Sequence, residues 1–444
     1  MKRIFKVLAL LLAAAGAGAQ APLDTYVSEA LASNIVLRDQ QLGLEKSLLA
    51  LRDARSLFLP TAGVEGQYAL ARGGRSIDIP IGDLLNPVYR TLNQMTGSDK
   101  FPGVQNASEQ LLPNDFYDVR VRTSVPILNP GLKTNRDIRS EQVRLTAAGI
   151  DTYRRELVKE VKVAYYRLLQ AAGAVDIYTN ARALVQQNLQ VQQSLLRNGK
   201  GLPAYVSRAE SEKMTVEAQL RQAQTELENA QAYINFLRNK PLTDPVQRAE
   251  PELPAALPSG DDVSKREELK SLRIATSINE RQLQLARSFR TPRLNAFMDV
   301  GAQGFRFKVN EKSPYVMGGI NVQVPLFAGK RNLNAIRSAE LDLKSAGLRG
   351  DALQQQLELA AFTGRNALRV ATENLAAARQ REAAAQQYFK LIDRGYTEGV
   401  NSFIEFLDAR SQLTNAKLEA SIQKYALLIA AANLERQTAS YTLP

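Results

Sequence analysis

The stretch Ser124-Val125-Pro126-Ile127 decides the fold, because it returns later in the chain as Gln323-Val324-Pro325-Leu326. A glycine follows each copy, at Gly131 and at Gly329. Two further pairs of landmarks lie 198 residues apart, namely 138–140 with 336–338 and Gly201-Leu202 with Gly399-Val400. Because all landmarks keep one order, we predict an internally duplicated chain whose two copies stack about a pseudo-symmetry axis.

The duplication also predicts the domain organisation. We expect a first repeat over residues 20–240, a proline-rich linker over 241–260 and a second repeat over 261–444. The N-terminus is typical of a secretory signal peptide over residues 1–19, since basic residues precede a short apolar run that ends in small residues. A membrane anchor is the alternative, but the run is shorter than the roughly 20 residues that a spanning helix needs. Removing the signal lowers the formal charge from +12 to 12 − 3 = +9.

The chain contains neither Cys nor His. The usual nucleophile and base pairs and most transition-metal sites are therefore missing, so we expect no enzyme, no catalytic residue, no metal and no cofactor. Basic residues alternate with Glu, Asp and Gln along helical segments, whereas a nucleic-acid reader clusters them with aromatic residues on one face. We therefore expect no nucleic-acid partner.

Most of the chain is predicted to be helical. The stretches 132–198 and 331–394 lack proline and carry apolar residues at helical spacing. A helix of about 65 residues is on the order of 100 Å long, so it needs partners along its length, as in a coiled coil or helical barrel. A glycine-bearing turn ends each long helix, which predicts antiparallel hairpins in which short helices stack end to end with the return helices. The return helices are predicted over 204–238 and 402–436, and the short helices over 23–58 and 261–289.

Two strands are predicted between the short and the long helix of each repeat. Tyr117, Val119 and Val121 alternate with charged residues, which gives one apolar and one polar face. Four strands cannot close a barrel, and open edges are not tolerated in lipid, so three copies would supply twelve strands. The strands are predicted over 61–72, 117–125, 294–303 and 320–324. The segment 73–114 is rich in Gly, Asn, Pro and Ser and is expected to be an extracellular surface loop.

These features together resemble the TolC-like outer membrane efflux protein family over the mature chain. The resemblance is carried by 125–127, by 324–329 and by the stretch GVNSFIEFLDAR from Gly399 to Arg410. It implies a mainly α fold with a membrane β-barrel, in which each protomer of a homotrimer contributes four barrel strands and long antiparallel helices. The trimeric twelve-stranded β-barrel would be continued by an α-helical barrel.

The resemblance also implies a function and partners. Family members are outer membrane exit ducts of tripartite efflux or type I secretion systems, with a periplasmic helical domain and outer membrane lipid around the barrel. They receive substrates from an inner-membrane transporter through a periplasmic adaptor, or membrane fusion, protein. A soluble periplasmic coiled-coil scaffold is the alternative, but it leaves the alternating strands unexplained. A passive porin would contain many more strands and few long helices.

Family members constrict their periplasmic gate with acidic residues three apart, and Glu405 with Asp408 resembles that pair. This spacing places both on one helix face, and three copies would bring six carboxylates together, which attract cations. The alternative is that both simply face water. In some members a Tyr and an Arg latch the entrance against an Asp. Tyr396 resembles that Tyr, but Asn401 and Ser207 stand where the Arg and the Asp would be, so the charges of that latch are missing here.

The two hairpin tips resemble the surface on which the family docks its adaptor. The corresponding residues are Gly199, Gly201, Leu202, Gly395, Gly399 and Val400. Glycine at these positions also simply makes the turns, which holds in either case. The sequence does not indicate the exported substrate.

Overall fold

A computed structural model describes residues 22–112, 114–251, 253 and 262–443. The predicted signal peptide and the last part of the predicted linker lie outside the described residues. The described chain is mainly helical with some antiparallel strands. It divides into two compact units, a helical unit (22–49, 140–280 and 340–443) and a strand unit (50–139 and 281–339).

The long and return helices lie close to their predicted bounds. The predicted helix over 132–198 spans Pro130–Arg197, and the one over 331–394 spans Arg331–Thr397. In chain order the helices are α1 (Pro22–Ser33), α2 (Ile35–Ser56), α3 (Ile81–Thr96), α4 (Pro130–Arg197), α5 (Pro203–Leu237), α6 (Glu267–Arg287), α7 (Arg331–Thr397) and α8 (Phe403–Thr438). Among the described helices, none pairs the length with the apolar character that a transmembrane helix requires.

The first short helix, predicted as one element over 23–58, is broken at Asn34. The Asn34 side chain accepts a hydrogen bond from the Leu37 amide at 3.1 Å, which caps α2, and donates one to the Leu237 carbonyl at 3.2 Å. One buried amide thus satisfies the start of α2 and the end of α5, whose terminal groups have no partner inside their own helices. The Ser33 hydroxyl adds a bond to the Arg238 carbonyl at 2.5 Å.

The second return helix ends in a similar junction. Arg266 immediately precedes α6, and its guanidinium donates to the carbonyl oxygens of Arg436 and Gln437 at 3.2 and 3.1 Å. These residues lie in the last turn of α8. Both return helices therefore end against the start of a helix, α8 against α6 and α5 against α2. In the first repeat this junction lies inside the predicted short helix 23–58 and not at its start.

The largest apolar core of the helical unit lies where α1, α4, α5 and α8 meet. Its fully buried side chains include Val27, Leu157, Leu168 and Ile234. Full burial of an aliphatic side chain stabilises the fold by about 1.5–3 kcal/mol, so this core holds the four helices together. The described part of the linker packs on this core, because backbone amides of residues 247 and 249 donate to tyrosine hydroxyls at 2.7 and 2.9 Å.

Four antiparallel strands form the main sheet of the strand unit, in the order β1-β4-β5-β6. Four strands lie where they are predicted, with β1 at Thr61–Ala69, β4 at Phe116–Leu128, β5 at Arg293–Phe305 and β6 at Pro314–Gln323. Strand β6 begins six residues before its predicted start at residue 320 and ends before Val324. Among the described residues, β1 and β6 each pair with a single neighbour, so the sheet has two open edges. Between β1 and β4 the chain forms β2 (Ser76–Ile79), α3 and β3 (Ala107–Gln110), so most of the predicted loop has secondary structure.

The two faces of the main sheet differ sharply in chemistry. On one face Arg122 forms two hydrogen bonds to the fully buried Asp299, at 2.8 and 2.6 Å, and Arg120 pairs with Glu65 at 2.8 Å. The other face carries a row of valines that lie side by side across all four strands, each at least 46% exposed. These are Val64, Val121, Val300 and Val316. The predicted alternation of an apolar and a polar face is thus confirmed.

Candidate gate and docking surface

The second hairpin tip is built around two glycines. Gly399 has a φ of 81°, a left-handed conformation that favours glycine, and the Val400 amide donates to the Gly395 carbonyl at 2.7 Å. A side chain at position 395 would collide with Asn401, whose Oδ1 would lie 2.0 Å from the added Cβ. Gly395 therefore lets the Asn401 side chain lie over the helix end.

The first hairpin tip has its left-handed residue at Gly199, with a φ of 69°. The internal repeat in the sequence predicts that Gly201, and not Gly199, corresponds to Gly399, at an offset of 198 residues. That pairing is wrong for the turn, because the left-handed positions 199 and 399 lie 200 residues apart. Gly201 is needed for a different reason, since a Cβ there would approach the Leu196 amide nitrogen to 2.7 Å. Leu202 and Val400 are exposed at the tips.

Glu405 and Asp408 both lie exposed in the first turns of α8. Glu405 also closes a capping box, because its carboxylate accepts from the Ser402 amide at 2.7 Å while the Ser402 hydroxyl accepts from the Glu405 amide at 3.3 Å. The hydrogen bonds from the backbone and side chain of Ser402, and then from the Asn401 side chain, lower the pKa of Glu405. Asp408 accepts from Gln412 at 2.7 Å. Both carboxylates are therefore available as charges facing water.

Tyr396 joins the second tip to α4. Its hydroxyl accepts a hydrogen bond from the Gln192 amide group, and Asn188 supplies another. Gln192 is 1% exposed, and the Tyr396 ring stacks on Phe406 with centroids 4.9 Å apart. Burial raises the pKa of Tyr396, against the hydrogen bonds from the two amides. The Tyr396 hydroxyl is therefore bonded to neutral amides. Ser207, which stands where the Asp of the family's latch would be, lies exposed on α5.

No sequence pattern distinguishes Gln192 and Asn188, because glutamine and asparagine are frequent along the helical stretches. It also left Arg410 without a role. Arg410 is 3% exposed and forms an ion pair with Glu212, which connects the two return helices. Next to this pair, a small core packs the tip from both return helices, with Ala209 and Phe403 buried in it.

Comparison with known proteins agrees with this architecture. Residues 263–440 match the family described as outer membrane efflux protein. The resemblance to the outer membrane efflux protein family is confirmed. Outer membrane protein TolC of Salmonella enteritidis is 21% identical over 431 residues, which cover 92% of this chain and 79% of TolC.

Two solved outer membrane proteins show the same fold. The Campylobacter jejuni CmeC outer membrane channel has a TM-score of 0.76 at 14% identity, with 94% of this chain and 85% of that chain covered. VceC, an outer membrane protein of Vibrio cholerae, has a TM-score of 0.74 at 14% identity, with 94% of this chain and 96% of that chain covered. The relative and the two solved structures are an outer membrane protein, an outer membrane channel and an outer membrane protein, respectively, in agreement with the predicted outer membrane location.

Proposed function

We propose that this protein is the outer membrane exit duct of a tripartite efflux or type I secretion system. It would pass substrates to the exterior from an inner-membrane transporter and a periplasmic adaptor. The observation that carries the proposal is the main sheet, which presents an exposed row of valines on one face, a charged network on the other, and two open edges. An open edge is unstable in lipid, so β1 of one copy would pair with β6 of the next.

Three copies would close this sheet into a twelve-stranded barrel with the valines toward lipid and the paired charges toward the lumen. The duplicated chain would continue the barrel with its long helices as an α-helical barrel in the periplasm. The exposed tips, with Leu202 and Val400 at their ends, would dock the adaptor. Glu405 and Asp408 would form the acidic gate of the periplasmic entrance, where their negative charge would select for cations.

Single-particle electron microscopy of the detergent-purified protein tests the architecture. We expect a threefold particle with a detergent belt at one end and a hollow helical stalk. A compact monomer, or a rod without a belt, would overturn the proposal and favour the soluble coiled-coil scaffold.

A matched charge series in planar bilayers tests the gate. We expect Glu405→Gln with Asp408→Asn to lower cation selectivity, with a shift of the reversal potential toward zero, because the acidic charge at the entrance is lost. Glutamine at position 405 keeps an acceptor for the capping box, whereas alanine would also remove the cap and lower helix stability by about 1 kcal/mol. Glu398→Gln is the control, because Glu398 lies on the same tip but is not one of the two proposed gate residues. An unchanged reversal potential in the double variant would mean that both carboxylates merely face solvent.

A further inference from the structure

The connection between β1 and β4 contains a small folded module, residues 76–110, that the proposed duct does not explain. Its strands β2 and β3 pair antiparallel, and the Ser108 hydroxyl donates to the Asp78 carboxylate at 2.5 Å. Helix α3 lies between the two strands, and the chain returns from it through residues 97–106. The module is therefore an ordered element and not a plain surface loop.

The polar side of α3 faces the rest of the module. Asn86 exchanges two hydrogen bonds with the backbone of Val104, at 2.9 and 2.8 Å, and Asn93 exchanges two with the backbone of Phe101, at 2.9 and 3.0 Å. Gly82 allows this close approach, because a Cβ there would lie 2.4 Å from the Val104 carbonyl oxygen. These contacts fix which side of the helix points inward.

The apolar side of α3 consequently points outward. Leu84, Val88 and Met95 share one helix face and are 69%, 52% and 80% exposed. At 100° per residue, Arg90 lies on the opposite side of α3. A helix whose apolar side is exposed while its amides face its own module is expected to bury that side against another molecule.

The chemistry of α3 favours a protein partner over a lipid surface. Helices that lie in a membrane interface carry several Lys or Arg residues on the polar face, whereas α3 has Arg90 as its one basic residue. The module also leaves directly from β1, the open edge at which the proposed assembly places the next copy of the chain. Each neighbouring copy carries the same exposed apolar face of α3, so the three faces can cover one another about a threefold axis.

We propose that the three α3 helices of the assembled trimer pack their apolar faces together across the extracellular mouth of the barrel. This inference rests on the proposed trimer. The α3 bundle would cover the exit, and opening the duct would require the three helices to separate. The bundle would be a second constriction, built from the strand unit, whereas the proposed gate at Glu405 and Asp408 belongs to the helical unit.

Thiol cross-linking in the intact protein tests the bundle, because the chain has no cysteine of its own. We expect Val88→Cys, treated with a short bismaleimide in purified trimer, to link up to about two thirds of the chains as dimers, since each trimer leaves one thiol over. Arg90→Cys, on the opposite side of α3, is the control, and it should give no cross-linked dimer on a denaturing gel. Leu84→Cys replaces Val88→Cys if that variant does not assemble.

Native electrophoresis before cross-linking separates the two proposals. A trimer in which neither apolar-face thiol cross-links would overturn the α3 bundle and leave the exit duct in place, whereas the absence of a trimer would overturn the exit duct. A bimane label at Val88→Cys adds a second measurement. Quenching by brominated lipid in the assembled trimer would place α3 against the membrane and overturn the bundle.

Discussion

The Glu405 carboxylate combines two roles within the first turn of α8. It satisfies the Ser402 amide, which would otherwise lack a partner at the helix start, and it remains exposed to water with its pKa lowered by those bonds. An acceptor that is held in place by a cap stays ionised at lower pH than a free glutamate. A charge for the proposed gate is thus fixed in position by local helix geometry.

Replacing Tyr396 by Phe tests the neutral contact between the second tip and α4. The change removes the hydroxyl and leaves the buried Gln192 amide without its acceptor, so we expect a loss of about 1–3 kcal/mol of stability at the tip. Because burial raises the pKa of Tyr396, the contact should persist through neutral pH and weaken only above pH 10, where the unfolded chain ionises first. Hydrogen exchange of the tip should accelerate in this variant.

The matched control for Tyr396 is Tyr388→Phe on the same helix. Tyr388 is 39% exposed and its hydroxyl makes no hydrogen bond within the described part of the chain. Exchange at the tip should stay unchanged in this control. Equal exchange in both variants would show that the Tyr396 hydroxyl does not hold the tip.

At these tips the sequence could predict where the chain turns but not what each residue contacts. Glycine marks a turn because it tolerates positive φ, yet Gly201 and Gly395 are required by close contacts that exist only after folding. Glutamine at position 192 looks like any solvated helix residue until Tyr396 is placed against it. Side-chain pairing between helices depends on the rotation of each helix, which the pattern of apolar residues fixes only coarsely.

Helix junctions carry much of the polar packing of the helical unit. Arg436, near the end of α8, donates to Glu156 of α4 at 3.0 Å and to Glu268 of α6 at 2.6 Å. Arg266 also donates to Glu268, at 2.7 Å. Burial opposes ionisation of Glu268, but the bonds from Arg266 and Arg436 outweigh it and lower its pKa to about 2. Three helices are thereby joined by one arginine.

We expect Arg436→Ala to destabilise the helical unit by about 1–3 kcal/mol, because each of the two carboxylates loses one of its charged donors, while Arg266 still pairs with Glu268 and Lys159 with Glu156. Thermal unfolding followed by circular dichroism in detergent measures the loss. Arg394→Ala is the control, since Arg394 is 79% exposed and, within the described residues, pairs only with Glu398 one turn away. This pair should contribute no more than about 0.5 kcal/mol. Similar losses in the two variants would mean that the junction is not a stabilising contact.

The same variant should change the response to acid. Since the pKa of Glu268 is lowered from 4.5 to about 2, its stabilisation is present above pH 4.5 and is lost as the pH falls toward 2. Arg436→Ala should raise that pKa and flatten the decline in melting temperature over this interval.

At the scale of elements the sequence could predict the long helices well, because uninterrupted helix formers between glycine turns leave few other structures. It missed the break at Asn34, since a single buried amide that caps two helices leaves no periodic pattern. It also read 73–114 as a loop, although α3 lies inside it. Pro87 within the helix and the Gly, Asn and Ser around it obscured the apolar face of α3.

The strand unit requires other molecules around it, because no part of its own described chain covers the row of valines or pairs with the two open edges of the main sheet. The charged network on the other face is already paired, with Asp299 fully buried beneath Arg122. A paired polar face tolerates a water-filled lumen, whereas the valine face calls for an apolar environment. This asymmetry favours the proposed membrane duct over a soluble scaffold.

Two lysines on opposite faces of β1 distinguish the alternatives. Val64 is 76% exposed on the valine face, and Gln67 is exposed on the polar face. In water alone, Val64→Lys and Gln67→Lys would both be nearly neutral. In a barrel, Val64→Lys places a charge in lipid at a cost of about 2–4 kcal/mol, whereas Gln67→Lys faces the lumen. We therefore expect only Val64→Lys to reduce the amount of oligomer from outer membranes that survives denaturing electrophoresis of unheated samples. Equal recovery of both variants would place the valine face in water.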